Sequence, residues 1–251
     1  MSETKISQAI VLNRLDYRES DSLLSVYTAN FGKLSLLARG TKKINSKLSG
    51  HLEPFSLIDI LIIKGRGFDY IGSAFSRRAF LNIKNDLNKL YYAGAGIRSF
   101  NRLVKEGEKD ENLFFLLKGF LELLDDYRED LSKEKGEMFY SFFILKLLLE
   151  LGYGPEMYEC LDCHTKIKAG KNYFNLKNGG LICSDCFNRQ PFVYQKDGLL
   201  APEILQISDN AIKLIRLITS NELGVVKKLH LEKKYIHELA VLIDSFLDFR
   251  L

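Results

Sequence analysis

The stretch Cys160–Cys186, CLDCHTKIKAGKNYFNLKNGGLICSDC, decides how this chain is read. It opens on Cys160-Leu161-Asp162-Cys163 and closes on Cys183-Ser184-Asp185-Cys186, and these are the only four cysteines in the sequence. Two Cys-x-x-Cys pairs with nineteen residues between them have the spacing of a tetrahedral zinc site. Two residues between thiolates let one tight turn aim both sulfurs at a single ion, and four sulfurs at about 2.3 Å complete its shell. Asn172-Tyr173-Phe174-Asn175-Leu176 reads as one strand, Leu181-Ile182 opens a second, and Asn178-Gly179-Gly180 supplies the turn between them. Such a hairpin returns the second pair to the side of the first. The expected ligands are Cys160, Cys163, Cys183 and Cys186, holding one Zn2+ per chain. An all-cysteine shell leaves no position open for water, so the ion is expected to be structural. His164 then reads as a surface residue of the first turn.

Two other uses of cysteine pairs fit less well. Disulfides need an oxidising compartment. Met1-Ser2-Glu3-Thr4-Lys5 lacks the charged-then-apolar layout of a secretion signal, and no apolar run reaches membrane-spanning length. The expected location is therefore cytoplasmic and nucleoid-associated, with no membrane partner. A redox Cys-x-x-Cys sits at a helix start after a strand in a βαβ context, which neither pair is expected to have.

Outward from the cysteines, the chain divides by periodicity. From Ile6 to about Arg78 it reads as strands: Ile6–Leu15, Leu23–Thr28, Lys33–Ala38, Phe55–Lys64 and Phe68–Ser76, with turn signals between them. Five short strands in under eighty residues suggest an OB-fold-like barrel, with a small SH3-like barrel as the alternative. Beyond Leu81 the period becomes helical, over Ile83–Val104, Glu111–Tyr127 and Lys133–Leu151. Gly94 and Gly96 in the first of these allow close helix packing. After the cysteines, Asp209–Ser220 and Lys234 to about Leu251 are again helical. The fold class expected is α+β: an N-terminal OB-fold β-barrel over residues 1–80, and a C-terminal α-helical domain over 81–251. A four-cysteine zinc ribbon is inserted in the latter at 157–190.

Charge distinguishes the two parts. The net charge is +4, but residues 1–80 hold twelve Lys/Arg against seven Asp/Glu, while the remainder is nearly balanced. No acidic residue falls between Asp21 and Glu53, where Lys33, Arg39, Lys42, Lys43 and Lys47 lie. The asymmetry points to a polyanionic partner for the N-terminal part. Ala38-Arg39-Gly40-Thr41-Lys42-Lys43-Ile44-Asn45-Ser46-Lys47 is the candidate loop: its cations release counterions from phosphates, and Thr41 and Ser46 offer hydrogen bonds to phosphate oxygens. Lys64, Arg66, Arg77 and Arg78 extend the basic surface. The candidate DNA-contacting set is Lys33, Arg39, Lys42, Lys43, Lys47 and Arg66. Tyr17, Tyr27, Phe31 and Phe68 are aromatics for base stacking, although Tyr27 and Phe31 read better as barrel core or rim. No P-loop, Gly-x-Ser-x-Gly, His-Glu-x-x-His or dinucleotide fingerprint occurs, and the chain is expected not to be an enzyme.

In this order the residues resemble a known family. Ile10-Val11-Leu12, Tyr17-Arg18-Glu19-Ser20-Asp21, Tyr27-Thr28-x-x-Phe31-Gly32-Lys33, Ala38-Arg39-Gly40 with Lys42-Lys43 and Ser46, and Leu52-Glu53-Pro54-Phe55 look like the opening of the RecO family of bacterial DNA repair and recombination proteins. Leu151-Gly152-Tyr153 and the cysteine pairs fit its zinc-containing branch. The resemblance implies a non-enzymatic recombination mediator that binds single- and double-stranded DNA and anneals complementary strands. It implies action with RecR, contact with the C-terminal tail of single-stranded DNA-binding protein, and help in loading RecA onto coated DNA. Arg39, Lys42, Lys43 and Lys47 then map onto the family's DNA-binding face. The alternative is a zinc-stabilised protein–protein adaptor without direct DNA binding.

Overall fold

The computed structural model describes residues 3–196 and 199–250; Leu251, the end of the last expected helix, lies outside them. The chain's contacts concentrate within two units, Met1–Leu131 and Ser132–Leu251.

The first unit begins with five strands: β1 (Thr4–Tyr17), β2 (Asp21–Thr28), β3 (Gly32–Ala38), β4 (Leu57–Ile63) and β5 (Asp69–Arg78). Alternation decides which side chains turn inward. In β4, Ile58, Ile60 and Ile62 are buried, while Asp59, Leu61 and Ile63 remain partly exposed. β1 is long enough to serve two neighbours. Thr4–Ile10 pairs with β4 and Ala9–Tyr17 with β2, and a register shift between Val11 and Asn13 bends the strand from one to the other. The pairings run β1-β2-β3-β5-β4 and return to β1, which closes the ring. All are antiparallel except a narrow parallel seam, where Leu36 and Leu37 of β3 face Asp69 and Tyr70 of β5. Ala9, Val11, Leu24, Val26, Leu36, Ile58, Ile60 and Ile71 fill the interior.

Three helices complete this unit: α1 (Leu81–Lys84), α2 (Leu87–Leu103) and α3 (Glu111–Asp125). Asp86 and Asp110 cap α2 and α3, each accepting a backbone N–H of the first turn. Tyr27 points out of the ring onto Phe100 of α2, edge to face at 4.9 Å, and its hydroxyl donates to the Asp110 carbonyl at 3.1 Å. Two glycines are required by close approach. Gly32 has φ +68°, and a Cβ there would lie 2.2 Å from the Glu108 carbonyl oxygen. A Cβ on Gly96 would lie 2.3 Å from Cε1 of Phe120, so α2 meets α3 at that point.

The second unit starts with α4 (Lys133–Glu150), capped by Ser132 and buried on nearly every side. There follow β6 (Glu156–Cys160), β7 (Asn172–Asn175), β8 (Gly180–Cys183), α5 (Ser184–Arg189), α6 (Pro191–Tyr194), the two-residue strands β9 (Gln195–Lys196) and β10 (Leu199–Leu200), β11 (Ile204–Ile207), α7 (Asp209–Ser220) and α8 (Lys233–Arg250). Ser208 caps α7, and its hydroxyl donates to Glu238 of α8 at 2.7 Å. Among the described residues, no helix is long and apolar enough to cross a membrane.

The α+β class stands, but the fold expected from sequence needs correction. The strands of residues 1–80 are not a self-contained barrel beside one helical domain, because α1–α3 cluster with them and share their buried contacts. The zinc segment is not a bare ribbon either. Its hairpin is the centre of a four-stranded sheet, β11-β7-β8-β6, in which β6 runs parallel to β8. The expected Ile83–Val104 helix breaks at Asn85-Asp86, where Asp86 adopts extended backbone to cap α2.

Candidate metal centre and nucleic-acid interface

The four cysteine sulfurs lie within 4.8 Å of one another. Cys163 and Cys183 Sγ are 3.9 Å apart. Four sulfurs at about 2.3 Å from one ion in a tetrahedron sit roughly 3.8 Å apart, so the donor set fits zinc. Cys160 ends β6, and the turn after it is closed by His164 N–H donating to the Cys160 carbonyl at 2.9 Å. His164 takes φ +56°, is exposed, and stands outside the ligand group. Cys183 ends β8 and caps α5, accepting the Cys186 N–H at 3.5 Å. The Cys183 N–H donates to Cys160 Sγ at 3.4 Å.

The thiols differ sharply in environment. The Thr165 hydroxyl, 3.0 Å from Cys163 Sγ, leads the hydrogen bonds that hold that thiol down to about 6. Burial pushes Cys183 and Cys186 up. A divalent cation is what lets all four be thiolates at once. Arg189 Nη2 donates to Cys186 Sγ at 3.8 Å. Behind the sulfurs, Tyr173 stacks on Phe187 at 3.6 Å, Phe187 on Tyr194 at 5.7 Å, and the Tyr194 hydroxyl donates to Asp162 in the first turn at 2.5 Å. The first Cys-x-x-Cys turn is thereby tied to the buried aromatic core of the segment. Cys160, Cys163, Cys183 and Cys186 form a structural zinc centre, one per chain, which cross-links β6 to the β8–α5 junction.

The basic residues of the first unit gather from three loops. Arg39 lies over the Tyr70 ring at 4.1 Å. Lys42 pairs with Asp16 at 2.9 Å and reaches the Arg18 carbonyl at 3.5 Å. Tyr17 meets Phe68 edge to face at 6.0 Å. Residues 16–18, 39–47 and 66–70 are thus neighbours at one end of the ring. Arg39, Lys42, Lys43, Lys47 and Arg66 are all exposed there. Thr41, expected to be free for phosphate, is buried and bonds Ser22 at 2.7 Å. The loop's base is fixed by Gly40 N–H, which donates to Asp21 at 2.8 Å and keeps that carboxyl below its ordinary range.

Lys33 lies elsewhere. Its ammonium donates to the carbonyls of Asn101 and Val104 at the end of α2, at 2.5 and 2.9 Å, and burial lowers its pKa. Tyr27 is fully buried and Phe31 packs against the ring's interior, so neither offers a face to a base. Arg18, exposed with φ +54° and 5.1 Å over Tyr17, and Tyr70, the shelf under Arg39, belong to the same end. Arg18 could have been found from its place in the Tyr17–Asp21 turn; Tyr70 carried no signal in sequence.

A family model described as the recombination protein O N-terminal region matches residues 1–80, and one described as its C-terminal region matches residues 84–251. The chain belongs to the RecO family. The DNA repair protein RecO of Dehalococcoides mccartyi is 30% identical over 243 residues, covering 97% of this chain and 89% of that protein. The RecO of Desulforamulus reducens is also 30% identical, over 97% of this chain and 88% of its own length. That of Rubrobacter xylanophilus is 33% identical over 74% of this chain and 72% of its own. RecO membership carries a general role in DNA repair and recombination.

Proposed function

We propose that this RecO-family chain is a recombination mediator that binds DNA strands at the loop-bearing end of its first unit and anneals complementary ones. Residues 1–80 are then the DNA-binding module, and residues 81–251 carry the zinc segment at 157–190. The observation that supports this most is the convergence of three loops on one end of the strand ring. There Arg39, Lys42, Lys43, Lys47 and Arg66 are exposed beside Tyr17 and Phe68. Lys33, spent on two backbone carbonyls, serves the fold and not the strand.

The mechanism is electrostatic. Two strands repel through their phosphates, and a basic surface neutralises that repulsion while base pairing selects the partner. Nothing in the process requires the protein to make or break a covalent bond. Contacts of this kind track the backbone of single and double strands and carry no base sequence. In the family's setting the partners are RecR, the C-terminal tail of single-stranded DNA-binding protein, and RecA, which is loaded once the strand is exposed.

Salt tests the reading. If four or five phosphates are neutralised, log affinity for a single strand falls against log salt with a slope of about −3 to −3.5. A slope near zero in a salt titration of oligonucleotide binding would refute it.

A further inference from the structure

We infer that the loop between the two cysteine pairs is a second phosphate-backbone contact, independent of the loops at the end of the strand ring. It presupposes that the chain binds nucleic acid at its first unit. From Cys163 to Ser184 the sequence holds no acidic residue but carries Lys166, Lys168, Lys171 and Lys177. A hollow of about 300 Å³ opens beside Cys163 and Cys183, walled by Lys166, Lys168, Lys171 and Arg189, with Asp185 as its carboxylate. All four cations are exposed. Some other lysines of the same unit are paired, Lys133 with Glu137, Lys233 with Glu134 and Lys234 with Glu232. None of the four cations around the hollow has a carboxylate partner among the described residues.

The loop that presents Lys166, Lys168 and Lys171 is fixed. Asn172 Nδ2 donates to the carbonyls of Lys168 and Gly170 at 2.8 and 3.4 Å. Gly170 N–H donates to both oxygens of Asp209 at 3.1 and 3.0 Å. The Ile167 N–H donates to the Tyr158 carbonyl at 2.8 Å. A zinc tetrathiolate carries two negative charges. Together with Asp185 and with Asp209, whose carboxylate is bound by the Gly170 N–H in the wall of the hollow, it formally balances the four cations, so it is their exposure and their lack of ion-pair partners that favour phosphate. Exposed like charges clustered on a rigid loop without partners repel one another and suit a chain of phosphates.

The rival role for these lysines is to balance the zinc centre's own charge, and the rival ligand is an acidic peptide. The test uses the zinc-loaded full chain and two variants, Lys166/Lys168/Lys171→Ala and the same three to Arg. Binding of a fluorescent oligothymidylate is followed against salt, next to the Arg39/Lys42/Lys43→Ala variant, with zinc content and thermal midpoint recorded. The inference expects the alanine variant to keep its zinc, to lose at least tenfold in affinity at low salt, and to have a salt slope shallower by about 2. The arginine variant should bind as the wild type does.

Unchanged affinity and slope in the lysine-to-alanine variant, with binding lost in the Arg39/Lys42/Lys43 variant, would overturn this inference and leave the proposed function standing. No DNA binding by the wild type would overturn both. Loss of zinc with an unchanged slope would assign the lysines to the metal centre. Failure of the arginine variant, or loss of a polyglutamate peptide's binding with DNA binding intact, would equally refute a phosphate contact.

Discussion

Replacing Cys160 with alanine should weaken zinc binding and loosen the second unit. The size of the effect follows from the geometry. A structural zinc contributes about 10–16 kcal/mol in peptides that fold only around the metal, so an even share for one of four thiolates is roughly 2.5–4 kcal/mol. Cys160 does more than ligate. Its sulfur is fully buried and accepts the Cys183 N–H, and orphaning that donor adds about 1–3 kcal/mol. The sum, about 3.5–7 kcal/mol, is comparable to the whole stability of many domains. At roughly 4 °C per kcal/mol for a unit of this size, the transition of the second unit should fall by about 14–28 °C. Calorimetry, zinc release to a chromogenic chelator, and near-ultraviolet circular dichroism of the Tyr173–Phe187–Tyr194 stack would follow it. Stripping zinc from the wild type removes the share of all four thiolates and should lower the midpoint at least as far as the substitution does. Zinc bound as tightly as in the wild type, or a midpoint within a few degrees after its loss, would refute a structural centre.

Other outcomes follow from single contacts. Gly96→Ala forces a methyl into Phe120 and should destabilise the first unit by about 1–3 kcal/mol, whereas Gly94→Ala meets only the flexible end of Arg98 and should be neutral or stabilising by up to about 1 kcal/mol; urea unfolding separates the two. Asp21 is held below its ordinary value chiefly by the Gly40 N–H, so its anchoring of the basic loop is complete above that value and is lost as pH falls through the lower, folded-state one. The protection factor of the Gly40 amide against hydrogen exchange should therefore fall in acid, and Asp21→Asn should show the lowered protection already at neutral pH.

Much of this was legible because the signal was local. The apolar run of Phe55–Lys64 and the Asn178–Gly180 turn each lie within a few residues, and so do the two Cys-x-x-Cys pairs. What escaped depended on distance or on weak patterns. β6, Glu156–Cys160, buries only Met157 and Cys160 and shows no alternation of apolar residues; its partner, β8, pairs with it in parallel across the zinc turn. β11 is four residues long. The break before α2 hid because Ile83, Leu87 and Leu90 keep a helical period across Asn85-Asp86. Lys33 looked like one more surface cation in a basic stretch, yet the carbonyls that hold it come from the end of α2. Only tertiary structure brings those atoms together.

The most direct test of the account is annealing of complementary oligonucleotides, each coated with single-stranded DNA-binding protein, at two salt concentrations without ATP. The wild type is compared with Arg39/Lys42/Lys43→Ala. Fast annealing by the wild type is expected, slower at the higher salt, with at least a tenfold loss in a variant that stays folded and zinc-loaded. Equal annealing by both would remove the DNA site from these loops. No annealing by the folded wild type would contradict the mediator reading and favour an adaptor that binds only proteins.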